Sequence, residues 1–196
     1  MLHNTITGRL RLSDIVVREI PGVTPVQARQ HMEACIVCFD HHSHLTGVEL
    51  SLHGNMDEVV CLDWDEAVDE HVRRSWNDMQ EATEYGATAI AILLVLNRTE
   101  YTIIERAVKG DGFDYWLLEQ ESYDENDPVP IGTARLEVSG ILHAEKDSEI
   151  MYRVREKKKQ TNVSDNRGLP AIIVVVEFSR PEAHMAQKNG QHSKSA

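Results

Sequence analysis

Tyr101–Glu119 reads YTIIERAVKGDGFDYWLLE, and Ala134–Leu142 reads ARLEVSGIL. The order of elements around these two stretches decides the fold. Tyr101–Ala107 is rich in β-branched and apolar residues and predicts a strand. Lys109-Gly110-Asp111-Gly112 is a tight turn. Phe113–Glu119 returns as a second strand. Ala134–Leu142 alternates, with Leu136 and Val138 on one side and Arg135, Glu137 and Ser139 on the other, and predicts a third. Between them, residues 120–132 form a polar loop with two prolines.

Working outward, Asp147–Thr161 reads as a helix rich in Lys and Arg, residues 162–168 as a polar loop, and Ala171–Phe178 as a continuous apolar strand covered on both faces. The tail from Glu182, with its Gln, Lys, Ser, Gly and His, reads as disordered. Upstream, Ala89–Leu96 reads as a buried strand. Asp65–Tyr85, free of Pro and Gly, reads as one long amphipathic helix with Gly86 as its C-cap. In the first 64 residues, Arg9–Ile20 is a strand or hairpin arm ended by Pro21-Gly22. Thr24 caps a helix over Val26–Phe39, with Pro25 at its first position. Val48–His53 and Val59–Trp64 are a strand pair. The expected fold is α/β, of the α+β kind: a central mixed sheet flanked by helices over residues 65–181. A small β-rich elaboration precedes it over 1–64, and a disordered tail follows over 182–196.

The chain has 196 residues, 41% hydrophobic and 27% charged, which suits a soluble globular protein with a real core. No apolar run approaches the ~20 residues that span a bilayer, and the N-terminus lacks the continuous apolar stretch of a secretory signal. These features predict a cytoplasmic protein without a membrane partner. Three cysteines provide no disulfide framework. The net charge of −12 excludes a protein that coats nucleic acid along a basic surface. It leaves room for action at one local cleft, where a bound metal ion inverts the local charge.

Asp114 follows the Gly-rich turn and Glu137 lies inside the next strand. Adjacent strands lie about 4.8 Å apart, so two carboxylates at matching height can share a Mg²⁺ ion. A carboxylate between Leu136 and Val138 in a core strand also needs a reason to be there. The order helix, strand, strand carrying Asp, strand carrying Glu-x-x, helix, strand over residues 65–178 resembles the core of the PD-(D/E)XK nuclease-like superfamily, with its restriction-endonuclease-like fold. The resemblance implies a metal-dependent phosphodiester hydrolase acting on DNA or another nucleic acid, with Mg²⁺ or Mn²⁺ as cofactor. Asp114 and Glu137 then hold the metal. Glu84 on the preceding helix completes that shell, with Glu81 as the alternative. The family's lysine, two residues after the glutamate, is replaced here by Ser139. The resemblance therefore requires a lysine from elsewhere: Lys109 in the turn, or Lys157 or Lys158 on the helix. On that helix Arg153, Lys157 and Gln160 share one face.

A second reading keeps the fold without the activity: a catalytically inactive interaction subunit of a larger assembly, with a protein partner or a second copy of the chain, in a setting such as bacterial defence. A third uses Cys35 and Cys38, spaced C-x-x-C and followed by His41, His42 and His44, as a zinc-stabilised adaptor. Against it, Cys35 belongs to the apolar helix face of Met32, Ile36 and Phe39, where it packs as a small hydrophobe. No phosphate-binding glycine loop, dinucleotide fingerprint or serine nucleophile elbow is present.

Overall fold

Thr24 opens the first long helix by a reciprocal capping box. Its hydroxyl accepts from the Gln27 N–H, and the Gln27 side chain accepts from the Thr24 N–H, with Pro25 in the first turn. That helix, α2 (Pro25–His41), follows β1 (Ile6–Arg11) and the short α1 (Asp14–Val17). Strands β2 (Val48–Gly54) and β3 (Glu58–Asp63) come next, then helices α3 (Glu70–Ser75) and α4 (Met79–Arg98). The order continues through β4 (Tyr101–Arg106), β5 (Tyr115–Glu119), β6 (Ala134–Ile141), α5 (Asp147–Gln160), β7 (Ala171–Glu177) and β8 (Glu182–Lys188). The computed structural model describes residues 6–127, 130–161 and 168–189; the expected loop positions 128–129 and 162–167 and the tail beyond 189 lie outside the described residues.

Arg9–Ile20 is not one strand or hairpin arm, since β1 ends at Arg11 and α1 follows over Asp14–Val17. Two larger expectations are also corrected. The long helix over 65–85 and the strand over 89–96 do not exist. Trp76 ends α3 and Asp78 starts α4, accepting from the Gln80 and Glu81 N–H groups. The apolar run is then the second half of α4. Its alanines favour helix, and a helix apolar all round is stable when buried on all sides. Every residue from Gly86 to Val95 is buried. Gly86 is accordingly no cap. A Cβ there would lie 2.9 Å from the Cys35 Cα, so glycine permits the backbones of α2 and α4 to approach. The second correction is β8, which occupies Glu182–Lys188, where disorder is expected from sequence.

All the strands join one eight-stranded sheet in the order β1-β3-β2-β8-β7-β6-β5-β4. It is a mixed sheet with helices on both faces, as expected. The strands of the first 64 residues extend the same sheet, and β8 is the joint: it runs antiparallel to β7 and parallel to β2. From β4 to β7 the sequence order is the spatial order, with β4, β5 and β6 antiparallel and β6 and β7 parallel across α5. On β7, Ile172, Val174 and Val176 face the core shared with α2 and α4, while Ala171, Ile173 and Val175 face Ile150 and Val154 of α5. Among the described residues no helix is long and apolar enough to cross a membrane.

Candidate active site

The site forms where β6 outruns its neighbour. Pairing between β5 and β6 stops at Tyr115 with Leu136. Past that point the Asp114 N–H still donates to the Leu136 carbonyl at 2.8 Å, and the Asp114 side chain turns in to take the next free donor. Its Oδ2 accepts from the Val138 N–H at 2.7 Å. A charge-assisted bond to a strand amide fixes that carboxylate against the open edge of β6. Gly140, farther along β6, lies so near α4 that a Cβ would stand 2.4 Å from the Thr83 carbonyl oxygen.

Glu137 is buried in mid-strand. Its Oε1 accepts from Lys157 Nζ at 2.5 Å; its Oε2, also buried, receives no N–H, and the Glu137 and Asp114 carboxyls lie within hydrogen-bonding reach of each other when one of them is protonated. Burial, and then the charge of Asp114, push the Glu137 carboxyl up to about 7, against the opposing pull of Lys157. Burial raises Asp114 as well, although the Val138 N–H, Lys157 and Arg106 favour its charged form. Two adjacent carboxyls with one ammonium between them are short of positive charge. Ser139 occupies the position two after Glu137 and accepts from Arg153 Nη1 at 3.2 Å. Arg153 and Lys157, one turn apart on α5, thus reach alternate residues of β6.

A cleft of about 930 Å³ is lined by Asp114, Ser139, Arg153 and Lys157 together with Glu81, Glu84 and Arg106, whereas Glu137 is buried beneath it and is not part of the lining. The structure brings Asp114, Glu137 and Lys157 together. Glu84 and Glu81 line the same cleft from α4, exposed. Glu84 does not come within 4.8 Å of both partners: among the described residues, the one acidic or histidine group that tight is elsewhere, at His53, Glu182 and His184. Lys109 is exposed in the turn after β4 and is not part of the cleft lining. Lys158 is also outside that lining.

Arg106, His31 and Tyr115 also line the cleft; the first two went unmarked in the sequence, and Tyr115 reads there as core or sheet-face packing. His31 is buried, its ring 5.3 Å from that of Tyr85 and its Nε2 3.5 Å from the Tyr115 hydroxyl. Burial, then the nearby Arg106, lower it to about 4, so it is a neutral imidazole at physiological pH. A histidine on the apolar face of α2 was the available signal.

The Cys/His cluster does not form a zinc site. Cys35 and Cys38 are wholly buried in α2. Burial drives the Cys35 thiol well up and the Cys38 thiol to about 12, so neither is a ready thiolate. His42 and His44 use their Nε2 atoms on the backbone carbonyls of Leu142, at 2.7 Å, and Ser179, at 3.0 Å. Comparison of the chain with protein-family models, curated proteins and solved structures gave no match.

Proposed function

We propose that this protein is a metal-dependent phosphodiester hydrolase of the PD-(D/E)XK kind, acting on nucleic acid at the β6 cleft. The observation that carries the reading is the adjacent carboxyls of Glu137 and Asp114, close enough to share a proton, with Lys157 on one Glu137 oxygen. Two carboxylates this close disfavour ionisation of both, and a divalent cation would offset that repulsion and replace the shared proton. The donors fit a hard ion: Mg²⁺ takes one or two carboxylates and fills its shell with water and phosphate oxygens. The order α4, β4, β5, β6, α5, β7, with Asp114 just before β5 and Glu137 in β6, also supports it.

Asp114 and Glu137 would hold the ion. When bound, it supplies an activated water and a Lewis acid for the phosphoryl oxygens. Lys157, pinned on Glu137, supplies the ammonium that the Ser139 position lacks. It stands where it can orient the water and offset charge on the phosphate. Arg153 and Arg106 add positive charge along a cleft in a chain of net charge −12, so substrate contact is confined to this place. Glu81 and Glu84 at the rim would reach the metal through its waters.

The test is cleavage of single- and double-stranded DNA and of RNA by the purified chain with Mg²⁺ or Mn²⁺. The expected result is cleavage lost in Asp114→Ala and Glu137→Ala and in chelator. If the purified chain neither cleaves nor binds either ion by calorimetry, the hydrolase reading fails and the non-catalytic subunit takes its place.

A further inference from the structure

We propose a second metal site, for Zn²⁺, formed by His53, His184 and Glu182 at the seam between β2 and β8. The two histidines are register partners on parallel neighbouring strands, and their rings stand 4.9 Å apart, tilted by 37°. Glu182, two residues before His184, projects from the same face of β8. On the other side of that strand Glu182 lies opposite Glu177 and His184 opposite Val175, which places the group on the α5 face of the sheet. The catalytic cleft opens elsewhere, along β6.

One ligand atom from each of the three residues lies within 4.8 Å of the other two. His184 Nε2 and Glu182 Oε2 are 3.9 Å apart, too far for a hydrogen bond and near the spacing of two ligands on one ion. Ligand bonds of about 2.0–2.2 Å put tetrahedral neighbours about 3.4 Å apart, so small side-chain rotations close the set without moving the backbone. A further carboxylate supports it: His53 Nδ1 lies 3.3 Å from Asp57 Oδ1. Asp57 then holds the Nδ1–H and leaves Nε2 for the ion, as carboxylates behind metal-binding histidines do.

The ligand types choose the ion. Two imidazoles and one carboxylate favour a borderline transition metal, whereas Mg²⁺ prefers all-oxygen sites such as Asp114 and Glu137. The position gives it a task. β2 and β8 pair only over Ser51–Gly54 on β2 and Glu182–Met185 on β8, and this short ladder joins the first three strands to the rest of the sheet. A metal bridging His53 to His184 and Glu182 clamps that joint.

The experiment is calorimetric titration of the chelator-stripped full chain with ZnCl₂ in excess Mg²⁺, with Co²⁺ absorption spectra as a second readout. One equivalent should bind. His53→Ala and His184→Ala should abolish it, together with the visible Co²⁺ bands, and Asp57→Ala should weaken it about 10–100-fold. Asp114→Asn, Glu137→Gln and the pair Cys35→Ser and Cys38→Ser should leave it unchanged. Zn²⁺ should raise the unfolding midpoint of the unaltered protein and not that of the histidine variants. If an alanine variant does not fold, His53→Gln and His184→Asn replace it. The proposal is overturned if no Zn²⁺ binds, if binding survives loss of both histidines, or if it is lost with the cysteines. Because the ion is Zn²⁺ in excess Mg²⁺ and the deciding variants lie on β2 and β8, failure here is separate from failure of the hydrolase reading, which is tested by Mg²⁺ or Mn²⁺ and the Asp114 and Glu137 variants.

Discussion

Lys157 Nζ on α5 lies 2.5 Å from Glu137 Oε1 on β6, so the ammonium of the site comes from across the layer and not from the strand that carries the glutamate. Ser139, on the same side of β6 as Glu137, holds Arg153 instead. Under the hydrolase reading, Lys157→Met lowers cleavage about 10²–10⁴-fold, the range for a lost proton-transfer or charge-stabilising group. Mg²⁺ affinity, set by the carboxylates, changes far less. Adding Ser139→Lys to Lys157→Met should recover at least part of the activity, since the new ammonium starts from the same face. Steady-state rates and Mg²⁺ titrations of the two variants decide it. Unchanged cleavage in Lys157→Met removes this lysine from the chemistry.

The Glu137 carboxyl gives a pH dependence with a definite sign. Its pKa is raised in the folded protein from 4.5 to about 7. The native state therefore holds a proton that the unfolded chain has already lost. No penalty exists below about pH 4.5; it grows as pH rises toward 7 and is then constant, about 3 kcal/mol. In chelator, Glu137→Gln should stabilise the protein by roughly that amount at pH 8 and by much less at pH 5. Urea midpoints of both proteins at the two pH values measure it. An equal effect at both pH values would show that Glu137 is not held protonated. Mg²⁺ binding should displace the proton, so affinity should rise with pH through about 7.

The strands around the site were legible because their signals are local: β5 is a short apolar and aromatic run after a Gly-rich turn that carries Asp114, and β6 alternates with Glu137 on its polar side. Lys157 was legible only as one basic residue among several, since contact between α5 and β6 depends on the handedness and length of a crossover. The α4 error has a different origin. Eight apolar residues fit a buried strand as well as a buried helix, and only the packing of α2 on one side and the sheet on the other makes it a helix. Glu182–Lys188 (EAHMAQK) has no β-branched residue, so nothing local marks β8 as a strand. Its place is set by the open edges of β2 and β7.

Gly86 gives a test of the α4 assignment in which the sign is diagnostic. At an exposed helix interior, Gly→Ala stabilises by up to about 1 kcal/mol. Here the new methyl would meet the α2 backbone, 2.9 Å from the Cys35 Cα and 3.1 Å from its nitrogen. Backbone cannot swing aside as a side chain can, and overpacking of this kind costs about 1–3 kcal/mol. Gly86→Ala should therefore destabilise the protein, read as a lower urea midpoint at unchanged slope. A stabilised variant would place Gly86 on an open helix surface.

The last prediction concerns β8. Along its whole length, from Glu182 to Lys188, it pairs with β7, and its Ala183 and Met185 are buried in the main core. A chain ending at residue 181 loses both ladders of this strand at once. Two long hydrophobic edges, β2 and β7, are then exposed in the middle of the sheet, where they invite association. Such a chain should lose its cooperative unfolding transition, bind a hydrophobic dye and aggregate. A chain ending at residue 189 keeps every β8 pair and should unfold within about 0.5 kcal/mol of the full protein. If the shorter chain instead unfolds cooperatively at the full-length midpoint, β8 does not join the two parts of the sheet, and the β2–β8 metal clamp loses its strands as well.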